Sequence, residues 1–224
     1  MFRNRHDAAL RLAQYLEKYR GEDGIVLAIP RGGVPIGYVI AQHLGFPLEV
    51  ALSKKIGHPG NSEFAIGAVS LDSVAVDERA AATVPAEYIQ EQVARIQAKL
   101  RDNFRAFMGG QPPTPLKGKT VILVDDGIAT GNTILSLVQA IRKSQPARLV
   151  VAVPVAPPHA QRRLGPLVDE FVCPLLPPDF AAVGQFYQEF SQVDDEEVIR
   201  LLRENAATVY HASGAVNHGG RMKE

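Results

Sequence analysis

The stretch VILVDDGIATGNT, residues 121–133, sets an apolar run, two adjacent aspartates and a closing Thr-Gly-x-Thr side by side. A continuous apolar run without alternation predicts a strand that is covered on both faces, as in a parallel sheet. Asp125 and Asp126 would then follow the carboxyl end of that strand, where open α/β sheets bind ligands. Two neighbouring carboxylates repel each other, so the pair is costly unless hydroxyl groups or a hydrated cation satisfy it.

The residues that follow the aspartates predict an anion site. Gly127 and Gly131 permit a tight turn, and NTILSLVQAIRK has the periodicity of a helix. The free backbone N–H groups at the start of that helix and two threonine hydroxyls can converge on one anion. A sugar phosphate would satisfy both the N–H groups and the carboxylates.

Other segments extend the α/β pattern. GIVLAIP and RLVVAVPV share the buried-strand character of VILV, and helical stretches between these strands predict βαβ units. We expect an opening helix that ends at Gly21, a second strand over LEVALSKK, a long helix over residues 84–107 and a late helix over VDDEEVIRLLREN. The Pro- and Gly-rich residues 109–118 are predicted as a surface connection inside one domain, because buried strands lie on both sides.

Composition excludes several classes of protein. Lys plus Arg and Asp plus Glu each number 24, so no charge excess points to nucleic acid or an anionic membrane. A single cysteine, Cys173, forms neither an internal disulfide nor a thiolate metal cage. The chain shows no apolar run suited to a signal peptide or a membrane span. We therefore expect a cytoplasmic protein with no nucleic-acid and no membrane partner.

Residues 121–133 resemble the binding motif of the type I phosphoribosyltransferases, which use 5-phosphoribosyl-1-diphosphate (PRPP). The chain also looks like a bacterial subgroup of predicted phosphoribosyltransferases that share PRGG and GHPGN-type segments. The resemblance implies an α/β fold with a Rossmann-like parallel sheet core and a small hood from the C-terminal segment. It implies a single domain over residues 1–205, with the core at about 24–172, the hood at about 173–205 and a flexible tail at 206–224.

The same resemblance assigns the PRPP site residue by residue. Asp125 and Asp126 would hold the ribose hydroxyls. Ala129, Thr130, Gly131, Asn132 and Thr133 would hold the 5′-phosphate, and Gly127 also belongs to the PRPP-binding set.

A second anion site is expected after the first strand, in AIPRGGVPIG. Arg31 supplies charge-assisted donors, and Gly32 and Gly33 let backbone N–H groups approach a diphosphate closely. Because family members often strain the peptide here, we predict a cis form at the Arg31–Gly32 bond.

The stretch SKKIGHPGNSEFAIGAVS, residues 53–70, is similar to the flexible loop with which type I enzymes close over PRPP. Closure would exclude water and bring positive charge to the leaving diphosphate. Lys54 or Lys55 is the candidate for that contact, which makes Arg31, Lys54 and Lys55 the predicted catalytic cations. His58 and Glu63 stay outside this hypothesis.

Residues 169–192 resemble the hypoxanthine-guanine branch of the family. By position, Phe171 would stack on the base, Val172 would offer backbone groups to the base edge, and Asp179 would join Asp125 and Asp126 at a magnesium ion. The spacing from Phe171 to Asp179 is one residue longer than in that branch. Where the branch carries an acid–base aspartate, this chain has Ala129, as adenine and uracil enzymes commonly do.

The primary hypothesis is a Mg²⁺-dependent transferase that displaces diphosphate from PRPP with a nucleobase-like nitrogen acceptor. A homodimer is expected only by analogy with the fold. A PRPP-sensing regulatory protein without turnover is the alternative. A third hypothesis is a phosphohydrolase or nucleotide-binding α/β protein whose paired acids hold metal alone.

Overall fold

A five-stranded parallel sheet carries the core in the computed structural model, which describes residues 1–216 and the side chains of residues 1–209. The strands are β1 (Gly24–Ala28), β2 (Leu48–Val50), β6 (Thr120–Val124), β7 (Arg148–Ala152) and β8 (Glu170–Val172), numbered together with three strands of a second sheet. Their spatial order is β2-β1-β6-β7-β8, and all four pairings are parallel. The predicted α/β class with a parallel sheet core is confirmed.

The central strands are buried on both faces. Every residue of β1 and β6 is buried, and alternate residues of each strand join two different apolar clusters. Val26 and Ile122 belong to the first cluster, whereas Ile25 and Val121 belong to the second. This double burial explains the unbroken apolar runs in the sequence.

Six helices surround the sheets in the described part of the chain. They are α1 (Arg5–Leu16), α2 (Gly33–Leu44), α3 (Ala86–Met108), α4 (Asn132–Lys143), α5 (Pro158–Leu164) and α6 (Asp195–Val216). Helices α1, α2 and α6 supply the first apolar cluster, and α4 and α5 supply the second. Because α6 continues to Val216, the predicted tail is helical over residues 206–216, and residues 217–224 lie outside the described residues.

The prediction of one strand over LEVALSKK is wrong. Strand β2 ends at Val50, opposite Ala28, the last residue of β1, so the parallel ladder has no further partner there. The chain then enters a three-stranded antiparallel sheet made of β3 (Ser53–His58), β4 (Asn61–Ser70) and β5 (Val74–Val76). Lys54 and Lys55 are exposed in this second sheet. They could not lie in the central sheet at the same cost, because burying charged side chains between two covered faces is unfavourable.

The segment predicted as a mobile loop is a β-hairpin. His58 pairs with Asn61 across a two-residue turn, which suits the Pro-Gly pair between them. Ile56, Ile66 and Val69 of the hairpin form a third apolar cluster with Ile96 and Leu100 of α3. The long helix therefore anchors the hairpin to the molecule.

A buried amide ties α6 to the sheet. Asn205 is 1% exposed; its Nδ2 donates to the carbonyl of Phe46 at 3.1 Å, and its Oδ1 accepts from the N–H of Leu48 at 2.8 Å. These backbone groups flank the start of β2. Within residues 1–216, no helix is both long and apolar enough to span a membrane.

We predict that Asn205→Ala lowers the free energy of unfolding by about 2–4 kcal/mol, because it leaves two buried backbone groups without partners. Thr208→Ala, an exposed site on the same helix, is the control and should change it by less than about 0.5 kcal/mol. Urea denaturation followed by circular dichroism measures both. Equal midpoints for the two variants would contradict the role given to Asn205.

Candidate functional site

Asp125 and Asp126 follow β6 directly, at the carboxyl edge of the sheet. Asp125 Oδ1 accepts from the backbone N–H of Asp126 at 2.8 Å. Asp126 Oδ2 accepts from Nε of Arg5 at 2.9 Å and lies 2.8 Å from its Nη2. Among the described residues no donor reaches the other oxygens, Asp125 Oδ2 and Asp126 Oδ1. Each carboxylate thus has one oxygen that accepts from a protein donor and one oxygen that is open to a ligand.

Burial makes this pair costly, as the sequence predicts. It raises the pKa of Asp125 well above its ordinary range, and the neighbouring Asp126 charge raises it further, against the lowering effect of the Asp126 N–H. Burial also raises the pKa of Asp126, while Arg5 acts in the opposite direction. The open oxygens therefore favour a ligand that donates hydrogen bonds or brings positive charge.

The PRGG segment lies against these acids. A Cβ on Gly32 would come within 2.0 Å of Asp126 Oδ2, and one on Gly33 within 2.9 Å of the carbonyl of Val124. Gly32 has ordinary helical dihedrals, φ −60° and ψ −29°, so the close approach, and not the backbone conformation, requires glycine. The structure thus brings the two predicted anion-binding segments together.

Two details of this segment differ from prediction. The cis peptide bond joins Pro30 and Arg31, so its predicted position at Arg31–Gly32 is wrong by one residue; Gly32 already has helical geometry as the residue before α2. The N–H of Gly33 donates to the carbonyl of Ile29 at 3.0 Å and is not free for a diphosphate. Arg31 lies 3.1 Å from Asp195 Oδ1 through its Nε, at the start of α6.

The predicted phosphate loop leads into α4. Gly131 has φ +76°, a left-handed conformation that glycine adopts at little cost, and no side chain caps the helix after it. Thr130, Asn132 and Thr133 are exposed, as is Ala129. The first-turn N–H groups of α4 therefore face an accessible space, which is the geometry of an anion site.

A cation that the sequence did not single out stands beside this loop. Arg163 of α5 donates from Nη1 to Asn132 Oδ1 at 2.9 Å and to the carbonyl of Thr130 at 3.4 Å. Only the fold brings α5 to the start of α4. The sequence signal for this cation is the pair Arg162 and Arg163 in α5, the helix that follows β7.

A cleft of about 1000 Å³ separates the hairpin from α4, and Lys54, Lys55, Asn132, Thr133 and Arg163 line it. Lys55 Nζ lies 2.9 Å from Glu63 Oε2, so Glu63 holds that lysine. No hydrogen bond or ion pair engages the side chain of Lys54 within the described residues. The structure therefore leaves Lys54, of the two candidate lysines, available to a ligand. His58 contacts the Phe64 ring and the N–H of Gly60 within the hairpin itself.

The predicted base site lies at the sheet edge. Phe171 and Val172 belong to β8; the carbonyl of Val172 accepts from Val153 N–H at 3.0 Å, and Phe171 packs on the second apolar cluster. Phe171 is partly buried in this packing, and the Val172 carbonyl is already engaged by a hydrogen bond within the sheet. Their contact with a base stays a prediction.

The structure does not bring Asp179 to the aspartate pair. Asp179 is exposed in the loop after β8, and no group of three or more acidic, histidine or cysteine side chains is arranged for metal binding among the described residues. Asp125 and Asp126 alone fit a magnesium ion that keeps waters and substrate oxygens, because Mg²⁺ typically takes only one or two carboxylates from the protein.

Part of the predicted hood, the segment between β8 and α6, reaches back over the acids together with the N-terminal residues. Tyr187 Oη donates to the carbonyl of Asp126 at 2.6 Å, and Phe2 contacts the Tyr187 ring at 5.5 Å between centroids. Sequence reasoning assigned no role to Tyr187 or Arg5. Arg5 lies outside every motif, and Tyr187 lies within residues 169–192 but outside the positions assigned there, so only long-range packing places them at the site.

Gly32→Ala tests the close approach. We predict a loss of about 1–3 kcal/mol in the free energy of unfolding, because the new Cβ must displace the Asp126 carboxylate. In an Asp126→Ala background the same substitution should cost little. Gly165→Ala is the matched control, since Gly165 also has helical dihedrals but no atom within 4 Å of a new Cβ. An equal cost of Gly32→Ala in both backgrounds would refute this explanation.

Comparison with known proteins gives consistent results. Residues 6–173 match the family model described as the phosphoribosyl transferase domain. A Mycobacterium tuberculosis protein, Rv0571c, named as an unproven phosphoribosyl transferase, is 36% identical over 220 residues, covering 97% of this chain and 49% of that protein. The Bifunctional protein PyrR of Leifsonia xyli is 27% identical over 190 residues, covering 84% of this chain and 86% of PyrR.

Among solved structures, TT1426 from Thermus thermophilus superposes with a TM-score of 0.81 at 39% identity, covering 91% of this chain and 98% of TT1426. The chain spans about half the length of the Mycobacterium tuberculosis relative. The family match covers both the PRGG segment and the aspartate pair, which are the residues that the fold brings together. By motif, fold and similarity, the chain belongs to the type I phosphoribosyltransferase family.

Proposed function

We propose that this protein transfers the 5-phosphoribosyl group of PRPP to a nitrogenous base, with release of diphosphate and with Mg²⁺ as cofactor. One observation carries the proposal. Two half-open carboxylates, Asp125 and Asp126, lie between the uncapped start of α4 and the PRGG segment. A sugar flanked by two phosphate groups matches that order of hydroxyl-binding and anion-binding elements.

The ribose would bind at the aspartates. Two adjacent hydroxyls can donate to Asp125 Oδ2 and Asp126 Oδ1, the oxygens that protein donors leave open. The 5′-phosphate would then meet the N–H groups and hydroxyls at the start of α4, with Arg163 steadying Asn132 beside them. Each charge-assisted hydrogen bond contributes about 1.5–3 kcal/mol, so several together support micromolar affinity.

The diphosphate would lie between the PRGG segment and the cleft. Arg31 is 46% exposed and can turn from Asp195 to a diphosphate, which offers a denser negative charge. Lys54, from the hairpin, would add charge as the diphosphate leaves. The negative charge of Asp125 and Asp126 would also attract a magnesium ion coordinated mainly by diphosphate oxygens and water, and such an ion would supply positive charge to this leaving group.

The acceptor is a nucleobase-like nitrogen compound in this proposal. Ala129 cannot act as a proton acceptor, so the ring nitrogen that attacks must be nucleophilic without a carboxylate at that position. Phe171 and Val172 are the proposed base contacts. Phe180 and Phe186, stacked with centroids 5.3 Å apart, add an aromatic surface to the hood. Cytoplasmic location and a homodimer remain predictions.

Turnover is tested with the whole chain, PRPP, Mg²⁺ and a panel of purine and pyrimidine bases, following diphosphate release. We expect base-dependent release with at least one member of the panel. PRPP binding without release across the panel would favour the alternative, a PRPP-sensing regulatory protein, in line with the similarity to a protein named PyrR. Calorimetry that detects neither PRPP nor ribose 5-phosphate binding would exclude both and favour the phosphohydrolase hypothesis.

Lys54→Ala should lower kcat for diphosphate release by about 100-fold with little change in KM for PRPP, because the lost charge acts mainly on the leaving group. Lys55→Ala should have a smaller effect, since Glu63 already engages that side chain. Lys117→Ala, an exposed lysine outside the cleft lining, is the control. Unchanged kcat in Lys54→Ala would remove Lys54 from the proposed catalytic set.

A further inference from the structure

Arg5 contacts the carboxylate of Asp126 directly. Its Nε donates to Asp126 Oδ2 at 2.9 Å, its Nη2 lies 2.8 Å from the same oxygen, and its Nη1 donates to the carbonyl of Ser191 at 2.7 Å. The guanidinium carbon stands 4.0 Å from the centroid of the Phe190 ring. Only 12% of the Arg5 side chain is exposed. Arg5 is thus fixed on three sides.

The backbone around Arg5 is equally constrained. The N–H of Phe2 donates to the carbonyl of Phe186 at 2.8 Å, and the carbonyls of Phe2 and Arg3 accept from the N–H groups of Gln188 and Glu189 at 2.9 and 2.8 Å. Arg5 then begins α1, whose first turn is capped by Asn4. The N-terminal segment and the hood therefore form one hydrogen-bonded unit that carries Arg5.

This arrangement fixes the direction of the Asp126 carboxylate. Both nitrogens bind Oδ2, and Tyr187 holds the Asp126 carbonyl, so the carboxylate has little freedom to rotate. Its Oδ1 is left as an acceptor beside Asp125 Oδ2. A planar guanidinium that donates to two acceptors holds this geometry better than a single ammonium group can.

We propose that Arg5 is a positioning residue for sugar recognition, which binds Asp126 Oδ2 and directs Asp126 Oδ1 to a ribose hydroxyl. The proposal rests on the proposed function, since it concerns the ribose of PRPP. Arg5 supplies the positive charge at Asp126 from within the chain. The site then distinguishes sugar phosphates by their hydroxyl groups, and ribose 5-phosphate is preferred over its 2-deoxy analogue and over inorganic phosphate.

The test compares three probes by calorimetry, namely ribose 5-phosphate, 2-deoxyribose 5-phosphate and inorganic phosphate. They are titrated into the wild-type chain, Arg5→Gln, Arg5→Lys and Arg20→Gln. Arg20 is the matched control, because it is a half-exposed arginine close in sequence that pairs with Glu17 and does not touch the site. Inorganic phosphate carries no sugar hydroxyls, so its affinity reports the anion-binding groups without the aspartate pair, and a general structural defect would weaken all three probes together.

The preference is the affinity for ribose 5-phosphate divided by the affinity for inorganic phosphate. We expect Arg5→Gln to lower this ratio about tenfold, while the affinity for phosphate itself changes by less than about twofold. Arg5→Lys keeps the charge, and it should lose about threefold of the preference, because its one nitrogen cannot occupy at the same time the positions from which the guanidinium reaches Asp126 Oδ2 and the Ser191 carbonyl. If Arg5→Gln does not fold, Arg5→Lys carries the test by itself. Arg20→Gln should retain the wild-type preference.

Full retention of the preference in Arg5→Gln, or in Arg5→Lys where that variant alone folds, would overturn the role of Arg5 and leave the proposed function standing. A parallel loss for all three probes would also overturn it, since it would mark Arg5 as a purely structural residue. A wild-type chain that binds neither sugar phosphate would overturn the proposed function and this inference together.

Discussion

The electrostatic cost of two adjacent carboxylates at the end of β6 governs the arrangement around them. Burial and mutual repulsion oppose ionisation of Asp125 and Asp126, and the chain offsets this only in part, with one backbone N–H and one guanidinium. Two oxygens are left open. A fold that only needed stability would place uncharged residues here, so the unpaired acceptors mark a site that is completed by a ligand.

The neighbouring segments are shaped by this pair. Gly32 has no side chain because Asp126 Oδ2 occupies the space of its Cβ, and Gly127 is similarly close to the side chain of Val183 in the hood. The hood and the N-terminal segment close the other side through Tyr187 and Arg5. Residues far apart in the chain thus meet at Asp126, which couples the position of the hood to the aspartate pair.

The sequence motifs suffice to locate most of the site. VILV and GIVLA predict adjacent buried parallel strands, and the polar residues after each strand must then lie at the same sheet edge. The aspartate pair, PRGG and the start of α4 follow from that rule. The prediction failed at LEVALSKK, because local apolar content does not reveal where a parallel neighbour ends. The sequence is also uninformative about where Asp179 lies, because a loop length gives no direction in space; its role at a metal stays a prediction.

By itself, the sequence determined the fold class, the family, the sheet edge that carries the candidate site and the absence of an acid–base side chain at Ala129. These depend on local periodicity and on motif spacing, both of which are written along the chain. Only the tertiary structure decided that Arg5 pairs with Asp126, that Arg163 supports Asn132, that Glu63 engages Lys55 and leaves Lys54 available, and that the supposed loop is a hairpin. Such contacts join residues distant in sequence, and their energies exist only after the sheet and its helices have packed.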